Sequence, residues 1–375
     1  MDTVGIVAEY NPFHNGHLYH LQQAKEITGC EYSVAVMSGN FVQRGEPALL
    51  DKFIRAENAV KCGVDLILEI PPACAVASAE YFAKGAVSIL DATGIVDALC
   101  FGSESGDLER LNKTAETLLL PETRKAIRRE MKNGVPVYQA TDTVVKGSPV
   151  SPNDILAVEY IKALKTLQSS ITPHAVLRMG AGYHEKESSG SIASAAAIRT
   201  LLREGKAVSH LIPYEELSSS PVLEKQLETA MLYALRVKTP QQLTQYADVT
   251  EGLENKLYEA CRLHDTVEEI IQAVKSKRYT YTRIRRILYN IFLDIPKGMR
   301  EREPEFIRVL AFNVKGQKLL NRMKKTAALP IITCYTKKDF YQYETARLDK
   351  KENDLYALAF AETKVYKGGL RAIRV

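Results

Sequence analysis

Tryptophan is absent from this 375-residue chain and cysteine is scarce. Without Trp, the large side chains of any core must come from the 19 Tyr and 10 Phe, so many tyrosines are expected inside. The six cysteines (Cys30, Cys62, Cys74, Cys100, Cys261, Cys334) form no CxxC pair and have no histidine at ligand spacing. That argues against a zinc site or a disulfide framework and leaves buried free thiols; no metal site is expected. No apolar run reaches membrane-spanning length, and the first residues lack the charged-then-apolar order of a leader peptide. The expected setting is the cytoplasm, away from membranes. There is also no internal repeat and no low-complexity tract. What remains, 46% hydrophobic and 25% charged residues, is ordinary for a soluble chain long enough for two domains.

The net charge of +5 hides an asymmetry. From Lys275 to Val375 there are 24 Lys and Arg against 10 Asp and Glu, whereas residues 1–274 carry 26 against 35. An acidic first part followed by a basic final hundred residues is the pattern of a chain whose C-terminal part meets a polyanion, or of a charged solvated surface.

The most informative stretch is Val4 to Lys25. Val4 to Ala8 is apolar and β-prone, and Asn11-Pro12 breaks the strand. After Gly16, Leu18, Leu21, Gln22 and Lys25 recur at helical spacing. This is strand, loop, helix, with His14 in the loop and His17 in the first helical turn. A helix N-terminus opening after a glycine loop offers unpaired N–H groups and the positive end of a dipole to an anion. Gly16 lets a phosphate or base approach the backbone, and two imidazoles add donors for a phosphate as charge builds in a transition state. His14-Asn15-Gly16-His17 resembles the HxGH signature of the nucleotidyltransferase superfamily, relatives of class I aminoacyl-tRNA synthetases. In that superfamily the two histidines stabilise the α- and β-phosphates of ATP or CTP.

Further strands are expected at Tyr32 to Met37, Val64 to Ile70, Val96 to Phe101 and His174 to Met179. Helices are expected at Asp51 to Lys61, Ala79 to Leu90, Thr123 to Asn133 and Ile155 to Leu167. A polar loop is expected up to Lys146-Gly147-Ser148-Pro149. The alternation predicts an α/β fold, a parallel sheet wrapped by helices, with ligands beyond the carboxyl ends of the strands. Asn11, Gly39, Gly102 and Arg178 all fall at such ends. Gly, Pro and Ser cluster between Gly205 and Ser220, which suggests a division into residues 1–210, a nucleotidyltransferase-like catalytic domain, and residues 211–375, a mainly helical, basic domain. In the latter, helices are expected at Val222 to Arg236, Gly252 to Leu263, Thr266 to Lys277, Thr282 to Leu293 and Gly316 to Lys325, with strands at Phe306 to Phe312 and Pro330 to Tyr335.

A second motif of the HxGH superfamily, ISSTxIR, brings hydroxyls and an arginine onto the β- and γ-phosphates. Here Ser194 matches its first serine and Ile198-Arg199 its end, while Ala195 and Ala196 replace the other hydroxyls. Ser194 remains a helix cap and Arg199 a phosphate clamp, or else the stretch is an Ala-rich helix start with a surface arginine. Ser38-Gly39-Asn40-Phe41-Val42-Gln43-Arg44-Gly45-Glu46-Pro47 is a polar loop after the second strand, placed to close over substrate, with Arg44 facing an anionic second substrate or solvent. Asn153 either binds ligand or caps its helix. Arg283, Arg285 and Arg286 crowd one helix start, and Lys324 and Lys325 end another. Tyr279, Tyr281, Tyr289, Tyr335, Tyr341, Tyr343, Tyr356 and Tyr366 are interleaved with Lys and Arg, as in surfaces that bind phosphate and stack bases.

The likeness narrows further. Val7-Ala8-Glu9-Tyr10-Asn11-Pro12-Phe13-His14-Asn15-Gly16-His17, the run Met37 to Pro47, and Cys100-Phe101-Gly102-Ser103-Glu104 resemble the bacterial tRNA(Met) cytidine acetate ligases over essentially the whole chain. The resemblance implies a Rossmann-like ATP-binding domain followed by a tRNA-binding one, with His14, His17 and Arg199 catalytic. The run from Val7 through Leu18, with Gly102, Asn153, Arg178 and Ser194, would line the ATP pocket. Ser38, Gly39, Asn40 and Arg44 would meet substrate, and Arg283, Arg285, Arg286, Lys324 and Lys325 the tRNA. It implies activation of acetate by ATP, with Mg²⁺ allowed, and acetyl transfer to the wobble cytidine of elongator tRNA(Met). Two rival readings are a small-molecule adenylyl- or cytidylyltransferase, which needs no RNA platform, and a non-catalytic nucleotide- and RNA-binding protein, which the two alanines at 195 and 196 would suit.

Overall fold

The computed structural model describes all residues except 133–134, 136, 150, 179–191, 215–220, 251 and 361–370. Five strands alternate with helices as the period-2 and period-3.6 patterns require: β1 (Thr3–Ala8), β2 (Tyr32–Met37), β5 (Leu66–Glu69), β6 (Ala98–Ser103) and β7 (Thr172–Leu177), with a short antiparallel pair off the sheet, β3 (Phe41–Val42) and β4 (Glu46–Pro47), between β2 and β5. They lie parallel in the order β5-β2-β1-β6-β7, in register from Thr3 opposite Tyr32 to Ala8 opposite Met37. Strand order reverses around β1, so a crevice opens at its carboxyl end.

Side chains alternate between two cores, as a doubly covered sheet demands. Val34, Val36, Leu66, Leu68, Leu99 and Phe101 face the helices Ala79–Ala92, Leu108–Leu119 and Pro152–Leu167, which bring Val87, Leu111 and Ile161. Ile6, Ala35, Met37, Ile67 and Cys100 face the helices Asn15–Thr28 and Lys52–Lys61 through Leu21, Phe53 and Ala56.

The sheet draws on both sides of residue 210. The strand β8 (Ile307–Phe312) joins β5 antiparallel, with Ile67 opposite Ala311, and β9 (Ile331–Ile332) and β10 (Ile373–Arg374) pair with its outer edge. The helix Val314–Thr326 packs Leu319, Leu320 and Met323 into the first core. The helices Glu228–Arg236, Leu253–Leu263, Val267–Val274 and Tyr281–Phe292 form a separate apolar core that reaches Phe41, Ala73 and Val76.

Several local expectations are corrected. Val137–Val144, expected as loop, form a helix; Lys337–Gln342 and Glu344–Ala357, for which the sequence carried no expectation, are helices as well. The strand expected from Pro330 to Tyr335 shrinks to Ile331–Ile332. Cys334 is exposed, whereas Cys30, Cys74, Cys100 and Cys261 are buried free thiols. Tyr279, Tyr289, Tyr335 and Tyr356 belong to the core, Tyr341 is 87% exposed, and Tyr366 lies outside the described residues. Among the described residues no helix is long and apolar enough to cross a membrane.

Candidate active site

The crevice at the end of β1 is built from the chain reversal after Ala8. Tyr10 takes a left-handed conformation (φ 45°) and buries its ring against Phe13, 4.8 Å away between centroids. His14 is the N-cap of the helix Asn15–Thr28, in extended backbone, and His17 sits one turn on. Their rings stack with centroids 3.7 Å apart, and Tyr10 and Phe13 wall in His17. The backbone N–H of His14 donates to Nδ1 of His17 (3.3 Å), which puts the ring proton of His17 on Nε2. Nδ1 of His14 is buried without a partner among the described residues. Gly16 is required by contact: a Cβ there would lie 2.9 Å from the His14 ring.

These imidazoles are neutral at pH 7. Burial, then the guanidiniums of Arg178 and Arg199, lower His14 from 6.5 to about 4. Burial holds His17 well below the ordinary value, helped by His14, His20 and Arg178. His20, one turn further and not singled out by the sequence, is lowered to about 4 by burial and then Arg178. Neutral rings beside two arginines make a site that is poor for cations and ready for a polyanion.

On one flank, β6 and β7 end together. A Cβ on Gly102 would lie 3.1 Å from Cγ of Arg178, so the glycine lets that arginine lie across the strand end. Nη1 of Arg178 donates to Oδ1 of Asn153 (3.4 Å). Asn153 does not cap its helix. Glu104 does so from the end of β6, accepting the backbone N–H groups of Asn153 (3.3 Å) and Asp154 (3.0 Å) and also the side-chain amide of Asn153. Glu104 thereby fixes which way that amide faces. The structure thus brings Gly102, Asn153 and Arg178 together beside the histidines.

On the other flank stands the helix Ala195–Arg203, capped by Ser194, whose Oγ accepts from the N–H of Ala197 (3.2 Å). Arg199 is 7% exposed; it donates to the carbonyl of Asn11 (3.0 Å) and pairs with Glu46 (3.1 Å). Glu46 also receives Arg203 (3.8 Å) and Arg285 (3.5 Å), so one carboxylate gathers three guanidiniums from two helices.

The loop from Ser38 to Pro47 is anchored rather than free to swing shut. Phe41 is fully buried among Tyr289, Phe292 and Tyr356, and its N–H donates to Glu352 (3.0 Å). The carbonyls of Ser38 and Gly39 accept from the buried Arg55, and Asn40 donates to Asn353 (3.0 Å). Of Ser38, Gly39, Asn40 and Arg44, only Arg44 is exposed.

Beneath Gly39 lies a polar cluster that the sequence did not reveal. Lys52, fully buried, pairs with Glu69 (2.6 Å) and Asp349, with Glu352 beside them. Arg55 was likewise missed; it donates to the carbonyls of Glu9 (2.5 Å), Leu50 (2.9 Å) and Ser38 (3.1 Å) and so ties β1 to β2. Both cations lie on the helix Lys52–Lys61, where neither carried a local signal in the sequence.

The basic residues diverge. Arg283 pairs with Asp248 (3.5 Å), Arg285 with Glu224 (2.7 Å), and Arg286 is lowered by burial. Lys324 and Lys325 are exposed, but on a helix whose Arg322 pairs with Asp2 and whose Thr326 donates to the carbonyl of Thr93 (3.0 Å). That is the amino end of the parallel strands, opposite the histidines.

Residues 1–369 match the HIGH Nucleotidyl Transferase family. Among curated relatives, the tRNA(Met) cytidine acetate ligase of a Thermoanaerobacter species is 43% identical, covering 97% of each chain. That of Thermoanaerobacter pseudethanolicus is 44% identical, covering 95% of this chain and 94% of its own. The crystal structure of Thermotoga maritima TmcAL bound with alpha-thio ATP superposes with a TM-score of 0.90 at 34% identity, over 100% of both chains. The chain therefore belongs to the HIGH nucleotidyl transferases and, within them, to the tRNA(Met) cytidine acetate ligase family.

Proposed function

We propose that this protein activates acetate with ATP and passes the acetyl group to the wobble cytidine of elongator tRNA(Met), giving N4-acetylcytidine. The observation that carries the reading is the stacked, neutral His14–His17 pair at a helix N-terminus, flanked by Arg178 and Arg199. Acetate is a poor electrophile until adenylated. Its oxygen attacks the α-phosphorus of ATP, the bond to the β-phosphate oxygen breaks, and pyrophosphate leaves. Charge builds on the phosphate oxygens, where imidazole N–H groups and helix amides stabilise it. We assign the pocket to the run Val7 to Leu18 with Gly102, Asn153, Arg178 and Ser194, and Arg199 to the leaving pyrophosphate. Arg199 reaches the phosphates by exchanging its pairing with Glu46 for them.

Among the described residues the one converging set of three carboxylates is Glu69, Asp349 and Glu352, and the ammonium of Lys52 already pairs with two of them, so that set does not fit Mg²⁺. Any Mg²⁺ would arrive on the phosphates of the nucleotide. We read residues 1–210 as the catalytic part and 211–375 as the tRNA-binding part, with β8 and the helix after it lent back to the sheet, and the cytoplasm as the location. Arg44, Arg283, Lys324 and Lys325 are the candidate phosphate contacts; a tRNA meeting both Arg44 and Lys324 would have to pass round the sheet. The small-molecule transferase reading is not favoured, since the relatives that align over 97% and 95% of this chain are named tRNA(Met) cytidine acetate ligases.

The test is ATP–pyrophosphate exchange with and without acetate. Acetate-dependent exchange is expected, without tRNA or on its addition. Silence with acetate in both conditions would overturn the reading.

A further inference from the structure

We propose that Glu9 is the general base of the transfer step, accepting the proton of the cytidine 4-amino group as the acetyl group moves onto it; this rests on the ligase reading above. Glu9 directly follows β1 at the mouth of the crevice, and its backbone is fixed by Arg55 on its carbonyl (2.5 Å) and by the left-handed turn at Tyr10. Oε1 accepts the N–H of Gln43 (2.8 Å), which holds the carboxylate toward the Arg44 loop. Arg199 donates to the carbonyl of Asn11, two residues after Glu9 (3.0 Å), and pairs with Glu46 on the loop that holds the Glu9 carboxylate (3.1 Å); it is also a charged neighbour of both Glu9 and His14. Glu46 on the loop, Arg55 on the helix Lys52–Lys61 and Tyr160 on the helix Pro152–Leu167 are the other titratable groups that feel it.

The remaining carboxylates nearby are engaged. Glu46 gathers three guanidiniums, Glu104 three N–H donors at residues 153–154, and Asp154 the hydroxyl of Ser103 with the amides of Glu104 and Ser105. Glu69, Asp349 and Glu352 surround Lys52 below the crevice. Among the described residues, none donates a hydrogen bond to Oε2 of Glu9. Burial raises this carboxyl above its ordinary range, against the pull of the Gln43 N–H and Arg199, and so makes it a better base than a solvated carboxylate.

The chemistry requires such a group. The exocyclic nitrogen of cytidine shares its lone pair with the ring and becomes a nucleophile only as its proton leaves. Its lone pair attacks the acetyl carbonyl carbon, the C–O bond to the adenylate phosphate breaks, AMP departs, and the N4 proton passes to Oε2 of Glu9 and then to water. A carboxylate also reads the base, because it accepts from the N4–H of cytosine and repels the O4 of uracil.

The test supplies synthetic acetyl-adenylate and tRNA to the full-length enzyme and follows a single turnover by rapid quench. Glu9→Gln retains an acceptor oxygen but cannot take the proton. It should bind tRNA within threefold of wild type, transfer acetyl at least ~100-fold more slowly, and lose the fall in rate that wild type shows as pH drops through the raised carboxyl value. Transfer by Glu9→Gln within threefold of wild type would overturn the proposal, as would a slow variant keeping the wild-type pH profile. If Glu9→Ala is slow while Glu9→Gln is fast, Glu9 positions the base and does not deprotonate it. If wild type itself fails to transfer from acetyl-adenylate, the ligase reading falls and the role of Glu9 with it.

Discussion

Replacing Lys52 by methionine tests whether the helix Glu344–Ala357, which carries Asp349 and Glu352, is fastened to the crevice electrostatically. Lys52 is fully buried, 2.6 Å from Glu69 and also bonded to Asp349, and Glu352 completes a set of carboxylates whose oxygens lie within 4.8 Å of one another. Side-chain exposure across the two ion pairs is 0–3%, so water cannot take over the role of the ammonium. Breaking a buried pair by removing one partner costs about 3–5 kcal/mol, a large part of the ~5–15 kcal/mol that holds a typical domain folded. Burial already holds Glu69 and Glu352 above the ordinary carboxyl range, with Lys52 pulling both down. A carboxyl raised in the folded state contributes stability that is present below its unfolded value, about 4.5, and lost as pH rises through the folded one. Lys52→Met raises the folded values further, so its deficit should be larger at pH 8.5 than at pH 6. Urea unfolding followed by far-UV circular dichroism and tyrosine emission, in a chain without Trp, measures it. Adding Asp349→Asn and Glu352→Gln to Lys52→Met should recover more than half of the loss. A deficit under about 1 kcal/mol, or one independent of pH, would refute the argument.

His17→Ala should reduce acetate-dependent exchange at least ~100-fold, with gel-shift affinity for tRNA within twofold; loss of tRNA binding at unchanged stability would show that the two tasks are not divided as proposed. Nuclear magnetic resonance titration should show His14 and His20 neutral down to near pH 4.5, with ATP shifting both midpoints upward. Because their folded values are depressed, the unfolded chain takes the proton first, and stability falls as pH drops below 6.5. For His14 alone the loss by pH 5 is about 2 kcal/mol. Gly45 has φ +71°, and a Cβ there would lie 2.8 Å from the backbone N of Arg286. Gly45→Ala should therefore cost about 2 kcal/mol in thermal or urea unfolding and displace Arg44.

The sequence by itself determined the strand–loop–helix that holds His14 and His17, and the four parallel strands after it. Those signals are local: apolar runs of strand length, punctuated by Asn11-Pro12, Cys62-Gly63 and Pro71-Pro72, decide the backbone before any distant partner is met. The tertiary structure alone decided how strand ends become a site. It placed Arg199 on Asn11 and Glu46 and seated Arg178 over Gly102 against Asn153. It returned Ile307–Phe312 to the sheet beside β5 and set Lys52 against Asp349. No pattern in a window of residues encodes a contact between positions some three hundred apart. Nor does any pattern encode the neutrality of His14, which burial and two arginines from other elements impose.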